Sequence, residues 1–407
     1  MSTIRPAVIL CSALLSAACG TGTGASPAVV RDSAGIRIAE NHPPDSAHAT
    51  WWRLDPEPRF DAGALEGAEG DILFRVVGAA RLSDGRIVVA NSGTSEVRYY
   101  GTDGRHLLSH GREGGGPGEF RRITRLIPLP GDSVAVVDDG AQRLTVLDPR
   151  GVFAREVAPR AATRVSIVGQ RDDGAWVGST ATILSGSQIP QGLARPDVAY
   201  VVVPPGGGAP LDTLGRFAGS ERFVRIAESG GEITSVEIVR APFSKTTTVI
   251  THGGELIVAT QDHAEVRGYD PEGALRQIVR TGAAPRPVTP ELIDAVVERR
   301  VVDLPADRRR AVRDGMLATV TAEFVPPYGT IAVDDPGNLW VQDYPELEDD
   351  QRWTIYDPDG ALAARIALPA TFTPYQIGDD WILGRELDEL EVEHVRLYGI
   401  ERAPGAR

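Results

Sequence analysis

Short runs of valine, isoleucine, leucine and aromatic residues recur along this chain, each broken by a polar pair that ends in glycine. Residues 81–111 read RLSDGRIVVANSGTSEVRYYGTDGRHLLSHG. An apolar run stops at Asp84-Gly85, residues 87–90 follow, and a polar loop leads to residues 97–100. A second turn, Asp103-Gly104, opens onto Leu107-Leu108. Asp-Gly pairs supply the positive φ that tight hairpins demand, and the runs between them are strand formers. The pattern predicts four short strands in one up-and-down antiparallel sheet.

The same grammar returns downstream. Residues 131–138 are followed by 144–151, which end in Asp148-Pro149-Arg150-Gly151. Residues 173–177 precede 200–203, and 254–258 precede 266–273 with its Asp270-Pro271-Glu272-Gly273 turn. Residues 337–341 precede 353–360, and a weaker copy runs through 380–383 and 392–398. Short strands with regularly spaced turns mean a sandwich, barrel or propeller, and a fixed repeat of four strands selects the propeller. The expectation is an all-β fold, a six-bladed β-propeller over residues 51–400, with 401–407 as a C-terminal tail.

The last copy runs out after its third strand, so its blade lacks an outer strand. Residues 51–61, WWRLDPEPRFD, are expected to supply it, with residues 35–40, GIRIAE, as the alternative. Closing the ring from both ends removes an exposed edge.

At residues 111–120, GREGGGPGEF, and at the Asp-Gly and Asp-Pro-x-Gly turns, the chain resembles the NHL-type six-bladed propellers, and more closely the propeller lipoproteins of environmental bacteria. The resemblance implies fold and says little of activity, since propellers host lectins, lyases, lactonases and scaffolds.

The repeat also sorts the loops. With strands A to D in each blade, A–B and C–D turns share one end, and B–C and D–A links share the other. Insertions at 180–197, 215–243 and 283–327 all fall on the second end. The last, between blades four and five, reads as helical. Thr289-Pro290-Glu291 make a helix start, Leu292, Ile293, Val296 and Val297 follow at helical spacing, and a second helix is expected over 306–322. Loops on a rigid scaffold carry binding, so this elaborated end is the expected functional face.

Composition narrows the partners. The 407 residues carry a formal charge of −14, which argues against nucleic acid, whose phosphates need a basic stripe. Lys245 is the sole lysine. The candidate binding residues are an acidic rim on the B–C loops of blades five and six: Glu346, Glu348, Asp349 and Asp350, then Glu386, Asp388 and Glu389. Calcium is the candidate cation, although no DxDxDG loop orders these acids. A solvated rim needs no ligand, and no cofactor is predicted.

Asn91, Asp138, Asp262 and Asp343 each follow a second strand, and their repetition suggests capping of loop amides. Trp176, Trp340 and Trp381 are expected to fill the wedges between blades. His106 and His110 lie four apart on one strand, about 13 Å from each other, too far for one metal ion. His252 and His263 fall at opposite ends of a blade, and His42, His48 and His394 lack ligand spacing. No GxSxG, HExxH or P-loop pattern occurs, so no catalytic residue is assigned.

The N-terminus adds an address. Met1 to Arg5 carries one positive charge, and residues 6–18 are an apolar stretch of roughly a dozen, the length of a signal-peptide core. Ser16-Ala17-Ala18-Cys19 resembles a bacterial lipobox, departing from it in having Ser16 where the pattern wants Leu, Val or Ile. The other cysteine, Cys11, lies within the segment that would be removed. The expectation is a signal peptide over 1–18, lipidation at Cys19, and a tether over 19–50, with an ordinary signal peptide cut near Ala18 as the alternative. A lipid-anchored protein of the cell envelope follows, periplasmic or surface-exposed, or else secreted.

Two functions fit. One is a monomeric binding or scaffold module for a protein, peptide or glycan on the elaborated face. The other is a divalent-metal hydrolase or lyase with its site at the central channel mouth.

Overall fold

The computed structural model describes residues 28–43, 50–181, 190–230, 232–345 and 350–402. The expected leader and Cys19 lie outside these residues, as do Glu346, Glu348, Asp349 and the tail beyond Arg402. Strands dominate, and two α-helices occur among the described residues, α1 (Pro290–Val301) and α2 (Ala306–Leu317).

Six sheets share one up-and-down order. In sheet one, Val76–Arg81, Ile87–Asn91, Glu96–Tyr100 and His106–His110 each pair antiparallel with the next. Sheets two to six occupy 123–157, 165–218, 248–280, 331–369 and 373–401. Turn chemistry sets these hairpins. Gly151, Gly273 and Gly360 hold φ of 78°, 82° and 88°. The aspartate that opens each turn caps it, as Asp270 does by accepting from the amides of Glu272 (3.1 Å) and Ala274 (2.7 Å). At Gly273 a Cβ would also collide with the carbonyl of Leu214 in sheet three.

Alternation along each strand builds the core. In sheet two, Val134 and Val136 pack against Val88 and Val97 of sheet one, whereas Ala135 and Val137 pack against Val165 and Trp176 of sheet three. A period of two therefore gives the inner strands two buried faces, while outer strands such as Phe153–Val157 stay largely exposed. Further clusters join sheets three and four, four and five, five and six, and six and one. The succession closes on itself, which is the arrangement of a β-propeller. Trp176, Trp340 and Trp381 fill wedges between neighbouring sheets. The glycine-rich link folds back so that the Phe120 amide donates to Arg112 (2.9 Å) and its ring is buried between sheets one and two.

Sheet six has three strands of its own, and residues from the N-terminal side complete it. Arg53–Leu54 and Phe60–Ala62 both pair with Glu393–Glu401, as expected for residues 51–61. His394 Nδ1 meets Asp61 at 2.8 Å, and Arg396 donates to the same carboxylate at 3.1 Å.

Residues 35–40 have a different role. Ile36–Glu40 lies parallel beside Leu275–Arg280 on the outer edge of sheet four, hairpinned to Val29–Ser33. Asn41 then donates to the carbonyls of Arg280 (3.0 Å) and Gly360 (2.8 Å) and accepts from the Leu362 amide (2.9 Å). Farther on, the Trp52 amide donates to the Arg365 carbonyl at 2.8 Å. The arm thus crosses the outer edges of sheets four, five and six in turn.

The region read as a 215–243 insertion is divided. Asp212–Ala218 is the outer strand of sheet three. Arg222–Ser229 and Glu232–Val239 form a hairpin that pairs with Gly192–Ala194 into a three-stranded sheet. Two separate insertions on the loop end therefore complete one another, a pairing that a local sequence pattern does not encode.

Candidate functional site

The loop end rests on a collar of buried polar side chains at the ends of second strands. Asp138, fully buried, accepts from four amides: Arg121 (2.8 Å), Arg122 (2.9 Å), Gly140 (2.9 Å) and Ala141 (3.0 Å). Asn91 accepts from the Phe74 amide at 2.8 Å. In sheet four the role passes to Gln261, which accepts from the Thr246 amide (2.5 Å) and donates to the Tyr328 carbonyl (2.6 Å). Asp262 caps no amide among the described residues. Asp262 pairs with Arg195 and, at 3.3 Å, with Lys245; Asp343 pairs with Arg365. The capping expectation holds for Asn91 and Asp138, while the two other aspartates hold arginines from elsewhere in the chain.

Above this collar stands the helical insertion. Thr289 caps α1 by accepting from the Leu292 amide at 3.3 Å, with Pro290 at the first helical position. Val296 and Val325 pack on Phe243, flanked by Leu292, Ile293 and Tyr344. α2 buries no residue of its own. Arg313 ties it to α1 through Asp294 (2.9 Å) and Glu298 (2.8 Å), and Arg225 of the added sheet donates to its Gly315 carbonyl.

Between α1 and the second-to-third-strand loop of sheet five lie two adjoining cavities of about 360 and 220 Å³. Both touch Arg299, Tyr344 and Pro345. Asp350, Gln351 and Arg352 line the larger, and Phe243 and Arg300 the smaller. Gln342 donates to Gln351 (2.7 Å), whose own amide donates to the Phe372 carbonyl (2.7 Å), so the floor is fixed. Phe243 and Tyr344 stack with ring centres 6.4 Å apart. The cleft offers an aromatic pair, amide groups and charges of both signs, which suits an extended polar chain with occasional apolar side chains.

The predicted rim residues scatter. Asp350 lines the cleft. Glu346, Glu348 and Asp349 fall outside the described residues. Glu386 is buried, accepting from the Tyr398 hydroxyl at 2.6 Å and from Arg396 at 3.1 Å. Burial and then the Glu386 carboxylate push the Tyr398 hydroxyl up to about 12. Burial works against the Arg396 charge, yet Glu386 and Asp61 hold its pKa above the usual arginine range. Asp388 accepts from the amides of Leu390 (2.8 Å) and Val392 (2.9 Å) and lies 3.5 Å from His394. The Val392 amide, more than the nearby His394, holds its carboxyl below the usual range. Glu389 is exposed. Glu386 and Asp388 thus sit beside the ring-closing strand, in the network around Asp61. Burial in the fold, not spacing in the sequence, separates Glu386 from its exposed neighbours.

Arg299, Arg300, Tyr344 and Gln351 were not singled out by sequence. Both arginines lie in the expected helix, but only the fold sets that helix against sheet five. Among the described residues no three histidine, cysteine or acidic side chains converge as a metal-binding group, and no helix is long and apolar enough to cross a membrane.

No family model and no curated protein matches the chain. Among solved structures it is similar to a member of the DUF4221 family from Bacteroides vulgatus, at 9% identity and TM-score 0.48, over 87% of this chain and 100% of that one. It is also similar to virginiamycin B lyase from Staphylococcus aureus, at 9% identity and TM-score 0.40, over 86% and 99% of the two chains. A gluconolactonase from Xanthomonas campestris matches at 13% identity and TM-score 0.39, over 92% and 98%.

Proposed function

We propose that this chain is a six-bladed, NHL-like propeller of the bacterial cell envelope, and that it binds an extended segment of a partner protein in the cleft between α1 and sheet five. The observation that carries the reading is the pair of adjoining cavities on the loop end, sharing Arg299, Tyr344 and Pro345. Their walls come from a helical insertion and from a loop between strands. The rigid collar beneath lets such walls vary without disturbing the ring. The six repeating sheets are its blades, and residues 20–27 tether it to a lipid-modified Cys19.

A peptide library screened against the purified protein tests the cleft. Binders selected on the wild type should lose at least about tenfold in affinity, roughly 1.4 kcal/mol, with Arg300→Glu or Tyr344→Ala. Arg105→Glu, on the turn end, should leave them unchanged. Binders indifferent to both cleft variants would remove the reading. Metabolic labelling with a palmitate analogue, lost in Cys19→Ser, tests the anchor separately.

A further inference from the structure

The central channel holds a second cavity, at the other end of the molecule. Its volume is about 420 Å³, and its walls come from sheets two, three, four and six at once. Only the axis of the ring brings the first strands of those four sheets together. Ile127 and Pro130 in sheet two, Gln170 and Asp172 in sheet three, and Thr251 in sheet four place it toward the turns that join first and second strands. It therefore opens away from the cleft described above. Gly169 lets Thr251 lie against the backbone of sheet three, where any Cβ would clash with the threonine hydroxyl.

One cation within this cavity lacks a bonded partner. Arg125, on Ile123–Pro128, makes no hydrogen bond and no ion pair among the described residues, although its side chain stays accessible through the channel. The carboxylate it senses is that of Asp139, which accepts from the Ser166 hydroxyl at 3.0 Å. Crowding by protein pushes the guanidinium pKa down, but arginine does not deprotonate in proteins. The charge stays, open to the channel. By contrast Arg171, the other guanidinium on the wall, is held by Asp173 (2.9 Å) and the Pro271 carbonyl (2.9 Å). Tyr375 spends its hydroxyl on the Val76 carbonyl at 2.7 Å.

We infer that the channel binds a small organic monocarboxylate, with Arg125 as its bidentate anchor. A planar guanidinium matches a carboxylate in shape and charge. Ile127, Val168 and Ile250 on the walls suit an apolar body, and the volume lies in the range of small-molecule pockets, roughly 300–1,000 Å³. Asp172, at the mouth and without a partner among the described residues, disfavours a second negative charge.

Titration calorimetry of the intact protein with 4-methylpentanoate tests this. The acid should bind, while its neutral amide and inorganic phosphate should bind at least about tenfold more weakly. Arg125→Gln should weaken the acid by at least about tenfold, Arg125→Lys should recover part of that loss, and Arg308→Gln should change nothing. Circular dichroism of each Arg125 variant establishes that it folds, and should Arg125→Gln not fold, the smaller loss in Arg125→Lys decides. No heat with the acid up to about 10 mM, equal binding of phosphate, or equal binding by the Arg125 variants would each overturn the inference. A carboxylate can also belong to a peptide C-terminus. Leucine carrying a free carboxylate and a dipeptide ending in leucine distinguish the sources, since the cavity should favour the smaller.

Discussion

The two ends of this ring are built on opposite terms. At the turn end most connections are short, and several, such as those at Gly85, Gly104, Gly151 and Gly273, depend on a glycine at positive φ with an aspartate nearby. At the loop end the connections carry helices and an extra sheet, and the order lies one layer below, in the polar collar. A uniform end leaves little room to vary without damage to the ring. The other tolerates variation because its insertions are not what holds the sheets together.

That contrast can be broken experimentally. The largest effect should come from the collar. Asp138→Ala strands four part-buried amides, and urea denaturation should report a loss of about 2–4 kcal/mol. Gly273→Ala comes next, since it combines unfavourable φ with a backbone collision, for a loss of about 1–3 kcal/mol. If either variant proved neutral, the layer it belongs to would not be the one that holds the ring.

Acid should act at the turn end. The amides of Ala274, Val152 and Arg86 lower the carboxyl pKa values of Asp270, Asp148 and Asp84 respectively. A lowered folded-state pKa favours folding while the group is ionised. That contribution is complete above the unfolded value of about 3.9 and fades as pH falls through the folded values. Melting temperature should be flat from neutral pH to about 5 and decline below about pH 4, with a shallower decline in Asp270→Asn. The smallest effect on folding belongs to Arg300→Glu, within about 0.5 kcal/mol, although the same change should weaken cleft binding at least about tenfold. A stability loss there as large as that of Gly273→Ala would erase the distinction between the ends.

The same contrast explains what the sequence discloses. Turn chemistry is local, so Asp84-Gly85 and Asp357-Pro358-Asp359-Gly360 reveal their strands to a reader of the linear chain. The ring-closing stretch was legible as well, because the last repeat visibly wants a strand and WWRLDPEPRF stands before the first. The partners of residues 36–40 and 192–194 were not legible. Their neighbours, 275–280 and 222–229, are distant in sequence, and edge strands carry no mark of whom they meet. Among the candidate acids, Asp350 was placed correctly on the loop end. Glu386 was indistinguishable from a solvated acid until Tyr398 and Arg396 were seen to enclose it.

The strap formed by residues 29–43 and 50–62 has a temporal consequence. Synthesis delivers these residues well before the edges they pair with, which run from Leu275 to Glu401. Asn41 waits for Leu362, more than three hundred positions away. Contacts of such separation form late and slowly. Until they form, the earlier segment stays unclasped and the final sheet keeps a bare edge. A nascent or truncated chain of this protein is therefore open to digestion and to mispairing with its neighbours until its last strand is made.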